Sequence, residues 1–281
     1  MTPAPRLSVI LPASNEEAWL GDCLAALIAG DPVPGGAEVI VVANGCRDRT
    51  ADVARTMAPA AAAAGWPLQV IERAEGDKIG ALNAGDSAAR GALRAYLDAD
   101  VIVSPALMAD LATALADAPG AAYASGTATI PRADSAVTRA YARLWQRLPF
   151  ARSEAPGYGL FAVNAAGRAR WGTFPRIISD DTFVRLHFAP QERIGVAAPY
   201  SWPMVEGWSR LVRVRRRQDA GVTEIAERWP HLLANEGKPA LGTGGALRLA
   251  LRDPVGFAVY AAVSVAVRLR RGGGAGWSRG R

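Results

Sequence analysis

Five residues in this chain have the types and spacing for charge chemistry. Asp98 and Asp100 close the run Ala95-Tyr-Leu-Asp-Ala-Asp100, and Asp180 and Asp181 stand side by side about 80 residues later. Residues two apart on a strand point the same way, so Asp98 and Asp100 face one side if the strand persists through them. At a strand end, one or both could take a hard divalent cation carrying a phosphorylated ligand. An Asp-X-Asp triplet by itself fits a solvated turn equally well. The fifth residue is Lys78, in Gly76-Asp-Lys-Ile-Gly-Ala-Leu-Asn83. A cation between two glycines ahead of a helix could approach an anion together with backbone N–H groups. The spacing is not that of a P-loop, and no GxGxxG follows the first apolar run. Asp180 and Asp181 also suit a plain helix N-terminus, which favours acids.

These residues need a scaffold, and the hydrophobic pattern supplies one. Residues 7–11 form a short apolar run that Pro12 ends, as a strand entering a loop. Leu20, Cys23, Leu24, Leu27 and Ile28 fall at helical spacing, with Asn15 as the expected N-cap. Residues 38–43 are β-branched and continuous, like a strand buried on both faces, and break at Asn44-Gly45. A helix is expected from about Asp48 into the alanines, a strand over 68–71, a helix over 81–90 and a strand over 94–97. Ser104-Pro105 reads as N-cap and first residue of the next helix. Strand alternating with helix over the first 118 residues predicts an α/β fold with a largely parallel sheet, which binds ligands at the carboxyl ends of its strands. Pro12-Ala-Ser-Asn-Glu16 and Ala43-Asn-Gly-Cys-Arg-Asp48 then share a sheet edge with Asp98 and Asp100. Further on, strands are expected over 121–130 and 159–163, and helices over 136–148, after Asn164 and from Ser179.

Composition narrows the function classes. The net charge of +6 is uneven: residues 201–281 carry 14 Lys or Arg against 6 Asp or Glu, and residues 1–200 carry 18 against 20. Such a basic C-terminal part suits a nucleic acid, an anionic membrane face or a phosphorylated ligand. No recognised nucleic-acid module accompanies it, so no nucleic-acid partner is expected. Cys23 and Cys46 form no CxxC, and His187 and His231 are the only histidines, which argues against a Cys/His zinc site and a disulfide framework. The first apolar run is far shorter than that of a signal peptide, so a cytoplasmic location is expected. Arg210, Arg213 and Arg217 share a face if that segment is helical, with Trp202 and Trp208 nearby. That face fits a phosphate or acceptor-sugar site, or a solvated basic helix. Residues 254–267 are uncharged and mostly apolar, yet as a helix span only about 21 Å, short of a bilayer core of roughly 30 Å. With Arg248 and Arg252 before it and Arg268, Arg270 and Arg271 after it, the segment fits either an interfacial helix on anionic lipid or an ordinary packed helix.

The ordered set Val9-Ile-Leu-Pro-Ala-Ser-Asn-Glu-Glu17, Val41-Val-Ala-Asn-Gly-Cys-Arg-Asp-Arg-Thr50, Gly76-Asp-Lys-Ile-Gly-Ala-Leu-Asn83, Leu97-Asp-Ala-Asp100 and Ser179-Asp-Asp-Thr182 resembles the family 2 glycosyltransferases of GT-A fold. The resemblance implies a Rossmann-like, mostly parallel nucleotide-binding sheet with helices on both faces and a C-terminal helical extension. It divides the chain into residues 1–235, with a nucleotide-sugar half (1–118) and an acceptor half (119–235), and an extension, 236–281. The implied reaction is inverting and metal-dependent, moving one sugar from a nucleotide-diphosphate-sugar to a hydroxyl acceptor, which could be lipid-linked or a cell-envelope glycan at the inner membrane face. Carried over by position, Pro12, Asn15, Glu16, Asn44, Lys78 and Asp98 line the donor nucleotide. Asp100, with Asp98 beside it, holds Mg²⁺ or Mn²⁺. Asp181 is the catalytic base with Asp180 adjacent; Trp208, Arg213 and Arg217 lie beyond the resemblance, which covers roughly residues 7–190, and their acceptor or phosphate role is read from helical spacing alone. A silent nucleotide-sugar-binding relative and a nucleotidyltransferase on a similar sheet are the alternatives. The chain departs from the family pattern at Ala43-Asn44, where two aspartates are common, and at Phe183, where an acid is frequent. It also lacks an evident Gln-x-x-Arg-Trp, so processive polymerisation is not expected.

Overall fold

The structure, a computed structural model, describes residues 6–237 and 241–269. In chain order the elements are β1 (Leu7–Ala13), α1 (Leu20–Ile28), β2 (Ala37–Asn44), α2 (Thr50–Ala63), β3 (Leu68–Arg73), α3 (Lys78–Ala88), β4 (Leu93–Leu97), β5 (Ile102–Val103) and α4 (Leu107–Asp117). The second half contributes β6 (Tyr123–Thr129), α5 (Ala136–Trp145), β7 (Leu160–Val163), α6 (Ala165–Arg168), α7 (Asp180–Arg185), β8 (Arg193–Ser201), α8 (Trp208–Arg228), α9 (Thr243–Arg252) and α10 (Pro254–Leu269). They build one sheet in the order β3-β2-β1-β4-β7-β6-β8-β5. The first four strands in that order are parallel; β7 then runs antiparallel to β4 and β6, while β8 pairs parallel with β6.

Every residue of β2 is buried, as a strand covered on both faces must be. Leu7, Val9, Leu11, Val39 and Val41 pack with α1, α2 and α4 on one face. Ile10, Ile40 and Val42 face the other way, against α3 and the helices of the second half. A third apolar cluster joins α5, α8 and α10, with Tyr141, Trp145, Leu211, Val263 and Val267 at its centre. The 254–267 segment is therefore a packed helix along one of its faces. Among the described residues no helix is long and apolar enough to cross a membrane.

The structure corrects three local expectations and decides a fourth point that rested on whether β4 continued past Leu97. Asn15 caps no helix: α1 starts at Leu20, and Asn15 takes a left-handed φ of 54° so that its Oδ1 accepts from Arg47 N at 2.8 Å. Helix α3 starts at Lys78 instead of Ala81, because Asp77 caps it by accepting from Ile79 N and Gly80 N. Helix α4 starts at Leu107, since the backbone at Ser104 is drawn to Pro199 O, at 3.1 Å. Strand β4 ends at Leu97, and Asp98 and Asp100 lie on a turn closed by Val101 N to Asp98 O at 3.2 Å. Strand alternation therefore does not orient the Asp pair. Strands β5 and β8 went unread. In β8, Gly195 and Pro199 interrupt the pattern, and its partners are supplied by distant segments. Lys238, Arg270 and Arg271 lie outside the described residues.

Candidate active site

Parallel pairing sets the edge on which the polar loops meet. Ile10 is in register with Tyr96, so Pro12 and Asp98 follow at the same level, and Asn44 is the last residue of β2. The loop after β2 is locked onto the start of α3. Asn44, 2% exposed, accepts from Asp77 N at 3.2 Å, and Gly45 has φ of +58°. A Cβ on Gly45 would lie 2.5 Å from the Gly76 backbone, so only glycine allows this approach. That contact fixes the first residue of α3, which is Lys78.

The Lys78 ammonium bridges two acids from different parts of the chain. Its Nζ lies 3.2 Å from Asp98 Oδ1 and 3.2 Å from Asp180 Oδ2. Burial works against the Lys78 charge, but Asp180, Asp98 and Asp181 outweigh it and hold the ammonium above its ordinary range. Burial pushes the Asp180 carboxyl up, against the pull of Lys78 and with the help of Asp181 and Asp98. Three carboxylates therefore act on one cation, while Asp100, on the same turn as Asp98, does not line the cleft. Burial also pushes the Cys23 thiol up, and the charges of Asp100 and Asp98 push it further, which places both carboxylates near it.

Asp180 and Asp181 open α7, and α8 holds that turn in place. Ile178 N donates to Glu224 Oε2 at 2.9 Å, and Gly221 backs onto Ser179 so closely that a Cβ would sit 2.1 Å from its hydroxyl. Asp181 accepts from Thr182 N at 2.6 Å and is half-buried, while Asp180 is buried. Phe183 turns inward against His187 and Trp229 and offers no acid to the site.

A cleft collects these groups. Pro12, Lys78, Asp98, Asp180 and Asp181 line it, together with Tyr96, Phe161, Gly157 and Gly159. The last four were not anticipated from sequence. The Gly157-Tyr-Gly159 spacing ahead of an apolar strand carried a signal: both glycines have positive φ, and a Cβ on Gly159 would meet Trp202 at 2.6 Å. Asp98 N donates to Gly159 O at 2.8 Å, so this segment also shapes the Asp turn. Asn15 lies on the neighbouring loop, its Nδ2 buried without a protein partner, and Glu16 N donates to Thr50 Oγ1 at 2.8 Å. Trp208, Arg213 and Arg217 are on α8 and do not line the cleft; Trp208 and Arg213 are exposed, and Arg217 lies one turn before Gly221.

Among the described residues no group of three or more His, Cys, Asp or Glu could hold a metal ion. Magnesium-type sites often use one or two carboxylates and take their other oxygens from phosphate and water. The donor set of Asp98 and Asp100, hard oxygens in an acid-rich turn, fits that kind of site.

The chain is similar to proteins of known family and fold. The family model described as glycosyl transferase family 2 matches residues 8–169. The uncharacterized glycosyltransferase EpsJ of Bacillus subtilis (strain 168) is 32% identical over 103 residues, which is 37% of this chain and 28% of EpsJ. The matched segment thus spans under a third of that relative. Among solved structures, the mannosyltransferase PcManGT from Pyrobaculum calidifontis, in complex with GDP-Man and Mn²⁺, superposes with a TM-score of 0.60 at 21% identity, over 96% of this chain and 77% of that one. S. aureus TarS 1-349 in complex with UDP-GlcNAc gives 0.54 at 17% identity, over 93% and 81%. At such identities the likeness concerns the fold, and it is the GT-A fold. With the family match spanning more than half of its residues, the chain belongs to glycosyl transferase family 2.

Proposed function

We propose that the protein is an inverting, metal-dependent glycosyltransferase that moves a single sugar from a nucleotide-diphosphate-sugar to a hydroxyl acceptor. The observation that carries this reading is the meeting of Asp98 and Asp180 at the ammonium of Lys78, with Asp181 in the same cleft and Asp100 two residues from Asp98, at the carboxyl edge of the sheet. A diphosphate entering so acidic a cleft needs positive charge. Lys78 supplies one, and Asp100 with Asp98 would hold Mg²⁺ or Mn²⁺, which when bound neutralises charge on the departing diphosphate. The Mn²⁺, GDP-Man and UDP-GlcNAc in the neighbouring structures support this donor class.

Each residue then has a task. Pro12, Asn15 and Glu16 border the nucleoside, and the free Nδ2 of Asn15 can donate to it. Asn44 acts from behind, through Asp77, by placing Lys78. Asp181 takes the proton of the acceptor hydroxyl, since it is the acid of the pair that Lys78 does not hold in an ion pair. Asp180 anchors Lys78 and so positions its neighbour. Arg213, Arg217 and Trp208 flank the acceptor side along α8.

Residues 1–118 are assigned to the donor, 119–235 to the acceptor and 236–281 to an extension. The acceptor is read as lipid-linked or a cell-envelope glycan, with the enzyme on the cytoplasmic side, peripheral to the inner face of the membrane. A thermal-shift panel of nucleotide sugars with and without Mn²⁺, on wild type and Asp100→Ala, tests the donor and metal reading. Metal-dependent stabilisation should appear in the wild type and vanish in the variant. If it persists unchanged in Asp100→Ala, Asp100 does not hold the ion.

A further inference from the structure

We propose that the outer face of α9 and α10 is a docking surface for an anionic bilayer, which gives the peripheral location above a physical site and rests on that reading only for the cellular setting. Helix α10 is apolar on two faces. One is used: Gly256, Val263 and Val267 are buried against α5 and α8. The other carries Val255, Ala258, Ala262, Val265 and Leu269, all exposed and spaced three or four apart along the whole helix. On α9, Leu247 and Leu251 are likewise open, at 62% and 77% exposure, and Leu269 reaches 79%. Large aliphatic side chains are rarely left this open in a continuous row without a partner.

The charge around the stripe selects the partner. Arg248, Arg252 and Arg268 are exposed beside it. The only acid between residues 241 and 269 is Asp253, and it is buried, bonded to Arg143 and to Gly256 N. Helices α9 and α10 themselves thus present aliphatic and cationic side chains and no exposed acid. That matches acyl chains beneath anionic headgroups, where an amphipathic helix lies in the interface plane. A second copy of the chain is a poorer match, because a symmetric contact would set arginine against arginine. The 16-residue α10 measures about 24 Å, so it lies on a bilayer without crossing it.

The surface is also tied to the active site. Behind Val263 and Val267, Trp145 packs on Tyr158 and Trp202, with ring centroids 5.1 and 5.6 Å away, and Gly159 of the cleft wall abuts Trp202. Helix α10 and one aromatic layer thus separate the docking face from the wall beside Asp98. Docking there would hold the cleft over the plane from which a lipid-linked hydroxyl approaches.

Flotation of the full chain with vesicles of equal parts phosphatidylcholine and phosphatidylglycerol tests the surface. Wild type should float with these vesicles, float poorly with pure phosphatidylcholine, and be released by salt. Leu251→Glu with Val265→Glu, and separately Arg248→Glu with Arg252→Glu, should each lower the bound fraction about tenfold or more. Both lie on the exposed face, so the melting temperature and the nucleotide-sugar thermal shift should stay at wild-type values. The proposal falls if wild type does not float, if the aliphatic pair floats as wild type does, or if light scattering finds a dimer that Val265→Glu dissolves. A chain that floats yet responds to no nucleotide sugar keeps the docking surface and loses the transfer reading; the opposite result removes only the surface.

Discussion

Two partly buried ionic clusters flank the same sheet, and they are built on opposite principles. Around Asp86, one carboxylate receives Arg94 Nε at 3.2 Å, Tyr96 Oη at 3.0 Å and the guanidinium of Arg168, which also stacks on Trp171. Donors outnumber the acid, and Arg168 reaches further to Trp171 O and Gly172 O. Around Lys78 the balance is reversed: one ammonium serves Asp98 and Asp180, with Asp181 close by. The Asp86 carboxylate is saturated, so this cluster can only hold β4 to α3 and α6. The second has an excess of negative charge at an open cleft, and such an excess is useful only if something positive arrives. Saturation marks a structural network, and imbalance marks a binding site.

Substitutions separate the two. The largest effect is expected from Asp181→Asn, which should lower transfer by about 10²–10⁴-fold while leaving donor-induced thermal stabilisation intact. Retained transfer in that variant would move the base elsewhere. Next comes Asp86→Asn, which strands two guanidinium groups and should lower unfolding stability by about 3–5 kcal/mol in denaturant titrations, with donor binding preserved in the folded fraction. A cost near zero would show that Arg94 and Arg168 find water instead.

Lys78→Met should behave differently. It removes the counter-charge of Asp180, whose carboxyl burial already raises above the usual aspartate range. A carboxyl raised in the folded state stabilises below its unfolded pKa, near 3.9, and that contribution is lost as pH rises through the folded value. The Lys78→Met variant should therefore recover stability relative to wild type as pH is lowered from about 8 to 5, whereas the Asp86→Asn deficit should stay constant, because arginine does not titrate there. Parallel pH profiles for the two variants would erase the distinction.

The smallest effect belongs to Glu38, a further saturated acid. Burial would raise its carboxyl, but bonds from Arg90 N, Ser8 Oγ and the Arg90 guanidinium outweigh this and hold it below the usual glutamate value. Its contribution is complete above about pH 4.3 and is lost as pH falls through the lower folded value. Thermal melts between about pH 5 and 3 should fall less steeply for Glu38→Gln than for wild type; equal slopes would remove Glu38 from the acid response.

The sequence by itself determined the strand and helix succession of the first 118 residues apart from the two-residue β5, because buried parallel strands and amphipathic helices each carry a local pattern. It also disclosed the two acid pairs and the lysine, since charged residues at strand ends and between glycines are visible without coordinates. Three things were decided only in three dimensions. Asn15 and Asn44 look like a cap and a turn, yet each amide oxygen holds another loop's backbone, and such partners lie about 30 residues away. Strand β8 has a weak local pattern and exists because β6 and β5 offer it hydrogen bonds. The pairing of Lys78 with both Asp98 and Asp180 depends on the close approach of Gly45 to Gly76 and of Gly221 to Ser179. A sequence shows which charges exist, but their balance within one cleft is a property of packing.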